Sequence, residues 1–301
     1  LLELADAVDD HILYLLDENE KDLKLMPEED PRYDRLKLTA SIISGIAQDI
    51  RQIAELPDPI GTVLSEKLMP NGLKIAKVRV PLGVVGVIYE SRPNVTLDVF
   101  TLCFKTGNVC VLKGGSDAEF SNKAIISIIH GVLDAHNLNT AFATLLPADR
   151  AATHALLQAA GYVDVLIPRG SQQLINYVRL NSKIPVIETG AGIVHVYFDV
   201  HGDLEKGKAI IWNAKTRRVS VCNALDCLLV HEDRLIDLPK LVFPLIKDHV
   251  EIFADEHAYH CLKEFYPEHL LHQARPEHFG TEFLSYKMAI KTVKDIYEAM
   301  D

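Results

Sequence analysis

The sequence has no long apolar run, and it has fewer basic than acidic residues. Its 301 residues include 42 Asp and Glu against 31 Lys and Arg, a formal net charge of −11 at pH 7. No apolar run approaches the roughly 18 residues that a transmembrane helix needs, so we expect no membrane span. Nucleic acids usually meet a basic surface, so the acidic balance argues against that class of partner. A few local cations can still hold a small anion.

Cysteine is also scarce. The five cysteines stand at positions 103, 110, 222, 227 and 261, and an odd count at irregular spacing is not a disulfide framework. The first six residues show no signal peptide, so we expect reduced thiols and a cytoplasmic location. Two histidine pairs near the end, 257 with 260 and 269 with 272, have i, i+3 spacing. Chance spacing explains them, and no metal site is expected.

Short apolar runs alternate with helical segments over the middle of the chain. Helices are predicted over 1–19 and 39–53, and a half-exposed strand over 74–80. The apolar runs then follow at Val84–Ile88, Val109–Leu112, Ala141–Leu146, Val163–Ile167 and Ile184–Ile187, with helices near 96–106, 118–136, 149–160 and 171–180. Continuous Val/Ile/Leu strands joined by helices are typical of parallel sheets. The pattern predicts a doubly wound α/β sheet that binds ligands beyond the carboxyl ends of its strands.

The alternation of apolar runs with helical segments becomes less regular after position 190. A strand over 193–198, a helix over 204–214 and a strand over 227–231 are predicted there. We therefore place a domain boundary near 190–192, which gives a first domain of residues 1–190 and a second of residues 191–301.

Polar residues follow the first buried strand. Asn94 carries a donor amide that could bind an oxyanion, and Pro93 fixes the turn that would aim it. The alternative is an ordinary helix cap, since Asn or Thr before Leu97 is common at that position. Spacing alone favours the cap.

The ends of two later strands carry weaker signals. Lys113 followed by Gly114 and Gly115 leaves room for a nucleotide and supplies a positive charge, but two glycines after a strand are usually a turn. Gly170 and Ser171 open a helix, where backbone N–H groups favour anions. A simple cap explains them equally well.

The densest group of reactive residue types surrounds Cys222. Lys215, Arg217 and Arg218 precede it and Asn223 follows it. Cationic surroundings lower a thiol's pKa from about 8.5 and populate the nucleophilic thiolate. Free cysteines are mostly buried packing residues, an explanation that suits the other cysteines in apolar runs (103, 110 and 227) and suits Cys222 poorly.

Together these segments resemble the aldehyde dehydrogenase superfamily and, within it, the gamma-glutamyl phosphate reductase family. Four segments occur in the family's order and spacing: Tyr89–Thr96, Leu112–Ser116, Ile167–Ser171 and Asn213–Ala224. The resemblance runs along nearly the whole chain, to residues 280–284. It implies an aldehyde dehydrogenase-like α/β fold. Residues 1–190 would form N-terminal helices and a doubly wound, mostly parallel cofactor domain, and residues 191–301 a second α/β catalytic domain. Family members continue beyond Asp301, so the resemblance implies that this second domain is incomplete at its C-terminus.

The resemblance also implies roles for single residues. Cys222 aligns with the catalytic nucleophile and Asn94 with the oxyanion-stabilising asparagine. The cofactor NADPH would contact a further set: Lys113, Gly114, Gly170, Ser171 and Glu282. Candidates for holding the substrate's phosphate and carboxylate are Arg92, Lys215, Arg217, Arg218 and Asn223. Glu188 stands where ordinary aldehyde dehydrogenases keep a hydrolytic base, but we assign it no role beyond a structural carboxylate.

The implied reaction is the NADPH-dependent reduction of L-glutamyl 5-phosphate to L-glutamate 5-semialdehyde through a cysteine thioester, on the route to proline. A homo-oligomer, dimer or tetramer, is implied, and the substrate could be channelled from glutamate 5-kinase. Two alternatives stay open: a general aldehyde dehydrogenase that makes a carboxylic acid, and a non-catalytic nucleotide-binding homologue.

Overall fold

A computed structural model describes residues 1–30, 32–188, 190 and 192–301. Contacts divide the chain into two compact units, Leu1–Thr189 and Gly190–Asp301. Thr189, next to the predicted domain boundary, and Ala191, within it, lie outside the described residues. Within those residues, no helix is both long and apolar enough to cross a membrane.

Unit 1 begins with helices and a hairpin. The helices are α1 (Leu2–Asp10), α2 (Ile12–Leu23), α3 (Tyr33–Leu36) and α4 (Ala40–Glu55). The single helix predicted over 1–19 is therefore two, separated at His11, whose backbone (φ −104°, ψ 18°) leaves the helical region. The predicted helix over 39–53 is confirmed, with the Thr39 hydroxyl capping it by accepting from Ile42 N. An antiparallel hairpin follows, β1 (Val63–Leu68) with β2 (Lys74–Val78).

The rest of unit 1 alternates strand and helix. The elements are β3 (Val84–Tyr89), α5 (Asn94–Lys105), β4 (Val109–Lys113), α6 (Glu119–Ala135), β5 (Ala143–Leu145), α7 (Arg150–Leu157), β6 (Val165–Arg169) and α8 (Gln172–Asn181). The four strands form a parallel sheet in the order β5-β4-β3-β6. One apolar cluster packs the helices on the sheet through residues such as Val87, Leu112 and Ile129, and a second includes Leu157 and Leu166.

Two of the predicted strands are shorter than expected. The run over 141–146 begins as a 3₁₀ turn, Thr140–Phe142, because the Asn139 side chain accepts from Ala141 N. The run over 184–187 makes only a single bridge, from Val186 to Leu166. Pro185 within it has no N–H to donate to a ladder, although its carbonyl accepts from Leu166 N.

Unit 2 is a second α/β layer structure. Its elements are β7 (His195–Phe198), α9 (Leu204–Thr216), β8 (Cys227–His231), α10 (Leu238–Val242), β9 (Glu251–Ala254), α11 (Glu256–Leu262), β10 (Leu271–Gln273), β11 (Lys287–Val293) and α12 (Ile296–Met300). The strands form a parallel sheet in the order β10-β9-β11-β8-β7. The three elements predicted over 193–231 are confirmed, whereas β9, β10 and β11 were not predicted.

Candidate active site

The predicted loops of unit 1 meet at one edge of its sheet. Tyr89 at the end of β3 pairs with Arg169 at the end of β6, and Ile88 pairs with Lys113 at the end of β4. Because the strands are parallel, their carboxyl ends share one edge. The three segments that the sequence singled out in this unit therefore lie side by side, where doubly wound sheets place ligands.

The loop between β3 and α5 is clamped at two points. Glu90 Oε2 accepts from Ser171 N at 3.0 Å, which ties the loop to the start of α8. The Ser91 hydroxyl donates to the Asp117 carboxylate. Ser91 is buried and has φ +46°, a left-handed conformation that costs a non-glycine residue of order 1 kcal/mol. These two side-chain contacts hold the loop that precedes Asn94 in one conformation.

Asn94 is not the cap of α5. The helix starts at Asn94, and its cap position is Pro93, which supplies no side-chain hydrogen bond. Asn94 Nδ2 instead donates to Asp98 Oδ2 at 3.0 Å, one turn further along. The helix-cap interpretation is therefore wrong. The amide group has two N–H donors, so the contact with Asp98 leaves one of them for an acceptor beyond the helix start.

Thr96 does not cap α5 either. Its hydroxyl accepts from the buried Tyr89 hydroxyl at 2.7 Å and donates to Asn122 Oδ1 at 2.9 Å. Burial raises the pKa of Tyr89, so this phenol remains a donor at physiological pH. The chain of bonds joins β3, α5 and α6 directly behind the Asn94 loop.

Gly114 borders a cavity of about 660 Å³ in unit 1, and Lys113 precedes it at the end of β4. Lys113 is only 5% exposed, and its Nζ donates to Gly114 O at 2.8 Å. Burial lowers the pKa of this lysine, against the opposing effect of Asp149 and Asp117. Gly114 has a steric reason to be glycine, since a Cβ would lie 2.3 Å from Asn122 Nδ2. Gly115, Ser116, Leu146 and Asp149 also line the cavity.

Gly170 and Ser171 meet Glu90 at the start of α8. Ser171 caps the helix, its hydroxyl accepting from Leu174 N at 3.3 Å. A Cβ on Gly170 would lie 2.5 Å from Glu90 Oε2. Ser171 is therefore a helix cap, and its own backbone N–H is held by a carboxylate oxygen of the same chain, Glu90 Oε2.

Cys222 lies in a turn of unit 2 between α9 and β8. It is the exposed cysteine of the chain, whereas three are buried, at 103, 110 and 227, and Cys261 is intermediate. The packing role predicted for the three buried cysteines is confirmed. Arg217, Arg218 and Asn223 in the same segment are also exposed.

Lys215 differs from the neighbouring cations. Its side chain is fully buried, and its Nζ donates to Leu225 O at 2.8 Å. Burial lowers the pKa of Lys215 to about 8. In this position the ammonium group cannot reach a substrate, so the geometry does not support the predicted phosphate or carboxylate contact. It instead fastens α9 to the end of the Cys222 turn.

Asp226 connects the Cys222 turn to the segment that contains Glu282. Its Oδ1 accepts from Phe283 N at 2.9 Å and its Oδ2 from Val194 N at 3.3 Å. Glu282 is half-buried in the loop before β11. Sequence reasoning missed Asp226, as it missed Glu90, Asp98 and Asp117, because each acts through a contact that only the fold creates.

Two other charged candidates are only partly exposed. Arg92 is half-buried in the β3–α5 loop. Glu188 lies 3.7 Å from Arg179, in keeping with a structural carboxylate. Among the described residues, no group of three or more His, Cys, Asp or Glu side chains is arranged to hold a metal ion.

Comparison with known proteins shows the family. No protein-family model matches the chain. It is 59% identical over 297 residues to the gamma-glutamyl phosphate reductase of Bacteroides fragilis, covering 99% of this chain and 72% of that protein. The crystal structure of the Thermotoga maritima gamma-glutamyl phosphate reductase superposes with a TM-score of 0.85 at 36% identity, over 99% of this chain and 72% of that one.

A more distant structure shows the same fold. An acetylating aldehyde dehydrogenase from Geobacillus thermoglucosidasius superposes with a TM-score of 0.66 at 16% identity, over 99% of this chain and 70% of that one. The predicted aldehyde dehydrogenase-like α/β fold is thereby confirmed. The chain belongs to the gamma-glutamyl phosphate reductase family, a family of oxidoreductases.

Proposed function

We propose that this chain reduces L-glutamyl 5-phosphate to L-glutamate 5-semialdehyde and phosphate, with NADPH as the reductant, in the second step of proline biosynthesis. The observation that carries the proposal is the 59% identity to a gamma-glutamyl phosphate reductase over 99% of the chain. The exposed thiol of Cys222, in a segment of exposed polar residues, supports it. Residues 1–190 would bind the cofactor and residues 191–301 would carry the nucleophile.

The Cys222 thiolate would attack the acyl carbon of the substrate. Asn94 would donate its second amide hydrogen to the oxyanion that forms, together with the backbone N–H of Cys222. As the tetrahedral intermediate collapses, the carbon–oxygen bond to phosphate breaks and a thioester remains on Cys222. Exposed Arg217, Arg218 and Asn223, with Arg92, are the groups we propose for the departing phosphate and the substrate carboxylate.

The residues around the 660 Å³ cavity fit a nicotinamide dinucleotide. Gly114 and Gly115 in its lining have no side chains to fill the space beside the strand end. Lys113 ends β4, and Gly170 and Ser171 precede α8, at the same edge of the sheet but outside that lining. When bound, NADPH supplies the hydride that reduces the thioester. Cys222 then leaves as the thiolate, and the aldehyde is released. Glu282 is our candidate for the nicotinamide ribose.

The reverse reaction tests this proposal. The protein receives glutamate 5-semialdehyde and NADP, with and without inorganic phosphate, and NADPH absorbance is followed. We expect phosphate-dependent NADPH formation that Cys222→Ser abolishes. Cys261→Ser is the matched control, because its half-buried thiol has no role in the reaction, and it keeps the activity.

Other outcomes point to other functions. NADPH formation that ignores phosphate would identify a general aldehyde dehydrogenase that makes a carboxylic acid. A Cys222 that iodoacetamide does not alkylate at neutral pH would identify a non-catalytic homologue. We further propose a cytoplasmic homo-oligomer, dimer or tetramer, supplied with substrate by glutamate 5-kinase; sedimentation of the protein alone and with the kinase tests both.

A further inference from the structure

A second cavity of unit 1 lies beside Asn94. It has a volume of about 670 Å³ and is bounded by α4, α5, β3 and β6. Most of its lining is apolar, including Val87, Val95 and Leu102. Three charged residues also line it: Asp49 from α4, Asp98 from α5 and Arg169 from the end of β6. A mostly apolar cavity with a few convergent charged groups is the usual form of a small-molecule site.

Asp98 is half-buried, whereas Asp49 and Arg169 are exposed. In the described part of the chain, none of them forms a salt bridge. Burial raises the pKa of Asp98; the hydrogen bond from Asn94 opposes this, nearby Asp49 adds to it and Arg169 opposes it. Two carboxylates that repel each other favour a cation between them, and an unpaired guanidinium favours a carboxylate.

The cavity adjoins the point where the acyl group would react. Asn94 Nδ2 contacts Asp98 Oδ2 at 3.0 Å, so the proposed oxyanion donor and a charged cavity residue are neighbours. In a glutamyl substrate, the carbon that reacts is separated from the α-carbon by three C–C bonds of about 1.5 Å each. One helical turn rises about 5.4 Å. A substrate whose carbonyl oxygen meets Asn94 can therefore place its α-carbon in this cavity.

We propose that this cavity binds the α-amino acid end of the substrate, with Asp49 and Asp98 holding the α-ammonium group and Arg169 holding the α-carboxylate. The inference rests on the proposed function, because it assigns the remote end of that substrate to residues outside the reacting centre. It makes these three residues determinants of specificity, which separate a glutamyl substrate from an aldehyde or acyl phosphate without an amino acid group.

Ligand titrations on the intact protein test the assignment. L-Glutamate, glutarate (without the ammonium group) and 4-aminobutyrate (without the α-carboxylate) are titrated calorimetrically into the wild type, Asp49→Asn, Asp98→Asn and Arg169→Gln. Asp98→Asn keeps an oxygen to accept from Asn94 while removing the charge. We expect the wild type to bind L-glutamate most tightly, since it alone satisfies both sets of charges.

Each variant should lower the affinity only for those ligands that carry the group contacted by the substituted side chain. We expect the two aspartate variants to lower the affinity for L-glutamate and for 4-aminobutyrate about ten- to a hundredfold, the size of a lost hydrogen bond to a charged group. Their affinity for glutarate should stay unchanged. Arg169→Gln should lower the affinity for L-glutamate and glutarate and leave the affinity for 4-aminobutyrate unchanged. Glu55→Gln, on an exposed position of α4 outside the cavity, is the matched control and changes nothing.

Equal binding of the three ligands by the wild type, no binding of L-glutamate, or variants that weaken all three ligands alike would each remove the assignment. Failure of the proposed reaction has a different signature, because phosphate-dependent NADPH formation would be absent while the selective binding pattern persisted.

Discussion

Lys215 carries a positive charge into the interior of unit 2. Its ammonium group is fully buried and has the Leu225 carbonyl as its hydrogen-bond partner. Leu225 N in turn donates to Ala214 O at 2.9 Å, so two bonds close the segment that contains Cys222 against the end of α9. A buried charge without a carboxylate contact costs free energy, and the hydrogen bond to Leu225 O connects this charge to the Cys222 turn.

The cost of that charge should appear as a pH dependence of stability. Burial lowers the pKa of Lys215 from 10.5 to about 8 in the folded protein. Between these values the unfolded chain binds the proton and the folded chain does not, so the free energy of unfolding rises with pH. Lys215→Met removes this titration. We expect the stability of the wild type relative to Lys215→Met to rise by about 3 kcal/mol between about pH 8 and pH 10.5.

Urea unfolding of both proteins across that pH range measures the difference between their free energies of unfolding. The other titrating residues are the same in both proteins, so their contributions cancel in this difference. Lys206→Met, on an exposed position of α9, is the matched control and should follow the wild type at every pH. A wild-type advantage that does not change with pH would show that the Lys215 pKa is close to its ordinary value.

The sequence identifies reactive residue types, but it does not identify their contacts. Cys222 could be singled out because its neighbours are polar, and Cys110 could be set aside because its neighbours are apolar. Asn94 was a candidate only beside the stronger expectation of a helix cap, since the competing contact with Asp98 depends on where α5 begins. Lys215 was grouped with exposed arginines because nothing in a sequence shows that a carbonyl ten residues away accepts a hydrogen bond from its ammonium group.

The start of helix α6 depends on a residue from another helix. Asp22, near the end of α2, is 1% exposed. Its carboxylate accepts from Phe120 N at 3.1 Å, from Ser121 N at 2.8 Å and from the Ser121 hydroxyl at 2.6 Å. The first N–H groups of a helix have no partner within it. Asp22 therefore supplies a cap that is distant in sequence, and it fixes α2 against the helix that borders the 660 Å³ cavity.

Removing this cap should destabilise unit 1. Asp22→Ala leaves the N–H of Phe120 and the buried N–H of Ser121 without this acceptor, and we expect a loss of about 1–3 kcal/mol in the free energy of unfolding. Asp22→Asn retains one acceptor oxygen and should lose less. Asp17→Ala, an exposed position on the same helix, should change stability by less than about 0.5 kcal/mol. Urea denaturation followed by circular dichroism gives the three values, and equal losses for Asp22→Ala and Asp17→Ala would contradict the capping role.

Strong periodicity located most elements of unit 1 and few of the later elements of unit 2. The continuous apolar runs of β3 and β4 and the amphipathic α4 were visible because one period extends over their length. In the hairpin of β1 with β2 every residue is exposed, so the half-burial inferred for 74–80 is wrong. The strands β9 and β10 have four and three residues, which is too few for alternation or an apolar run to stand out.

Among the described residues, the two units have separate hydrophobic cores. Each of the four apolar clusters draws its buried residues from one unit: two from residues of unit 1 and two from residues of unit 2. The predicted fold class follows from the alternation of strands and helices, which is a local property. The strand order of unit 2 could not be predicted, because β11 enters the middle of the sheet from near the end of the described chain. Sequence distance and sheet position are unrelated there.

That strand makes the core of unit 2 sensitive to a single truncation. Ile290 in β11 is fully buried and pairs with Leu228 of β8 on one side and Ala254 of β9 on the other. Ile290→Ala removes buried methyl groups and leaves a cavity, which costs about 2–5 kcal/mol. Leu112→Ala, in β4 of unit 1 and equally buried, is a truncation of the same kind in the other core.

The single tryptophan reports on unit 2 alone. Trp212 lies on α9, its Nε1 donates to Asp248 Oδ2 at 2.8 Å, and Lys247 Nζ stands 4.0 Å from the ring centroid. Unfolding of unit 2 breaks these contacts and changes the fluorescence. We expect Ile290→Ala to move the fluorescence-detected urea midpoint well below that of the wild type. Leu112→Ala should move this fluorescence midpoint much less. It should instead lower the midpoint of a separate transition, the unfolding of unit 1, which is followed by circular dichroism. Equal shifts of the Trp212 midpoint would show that the two cores unfold together, because a truncation in either one would then destabilise both.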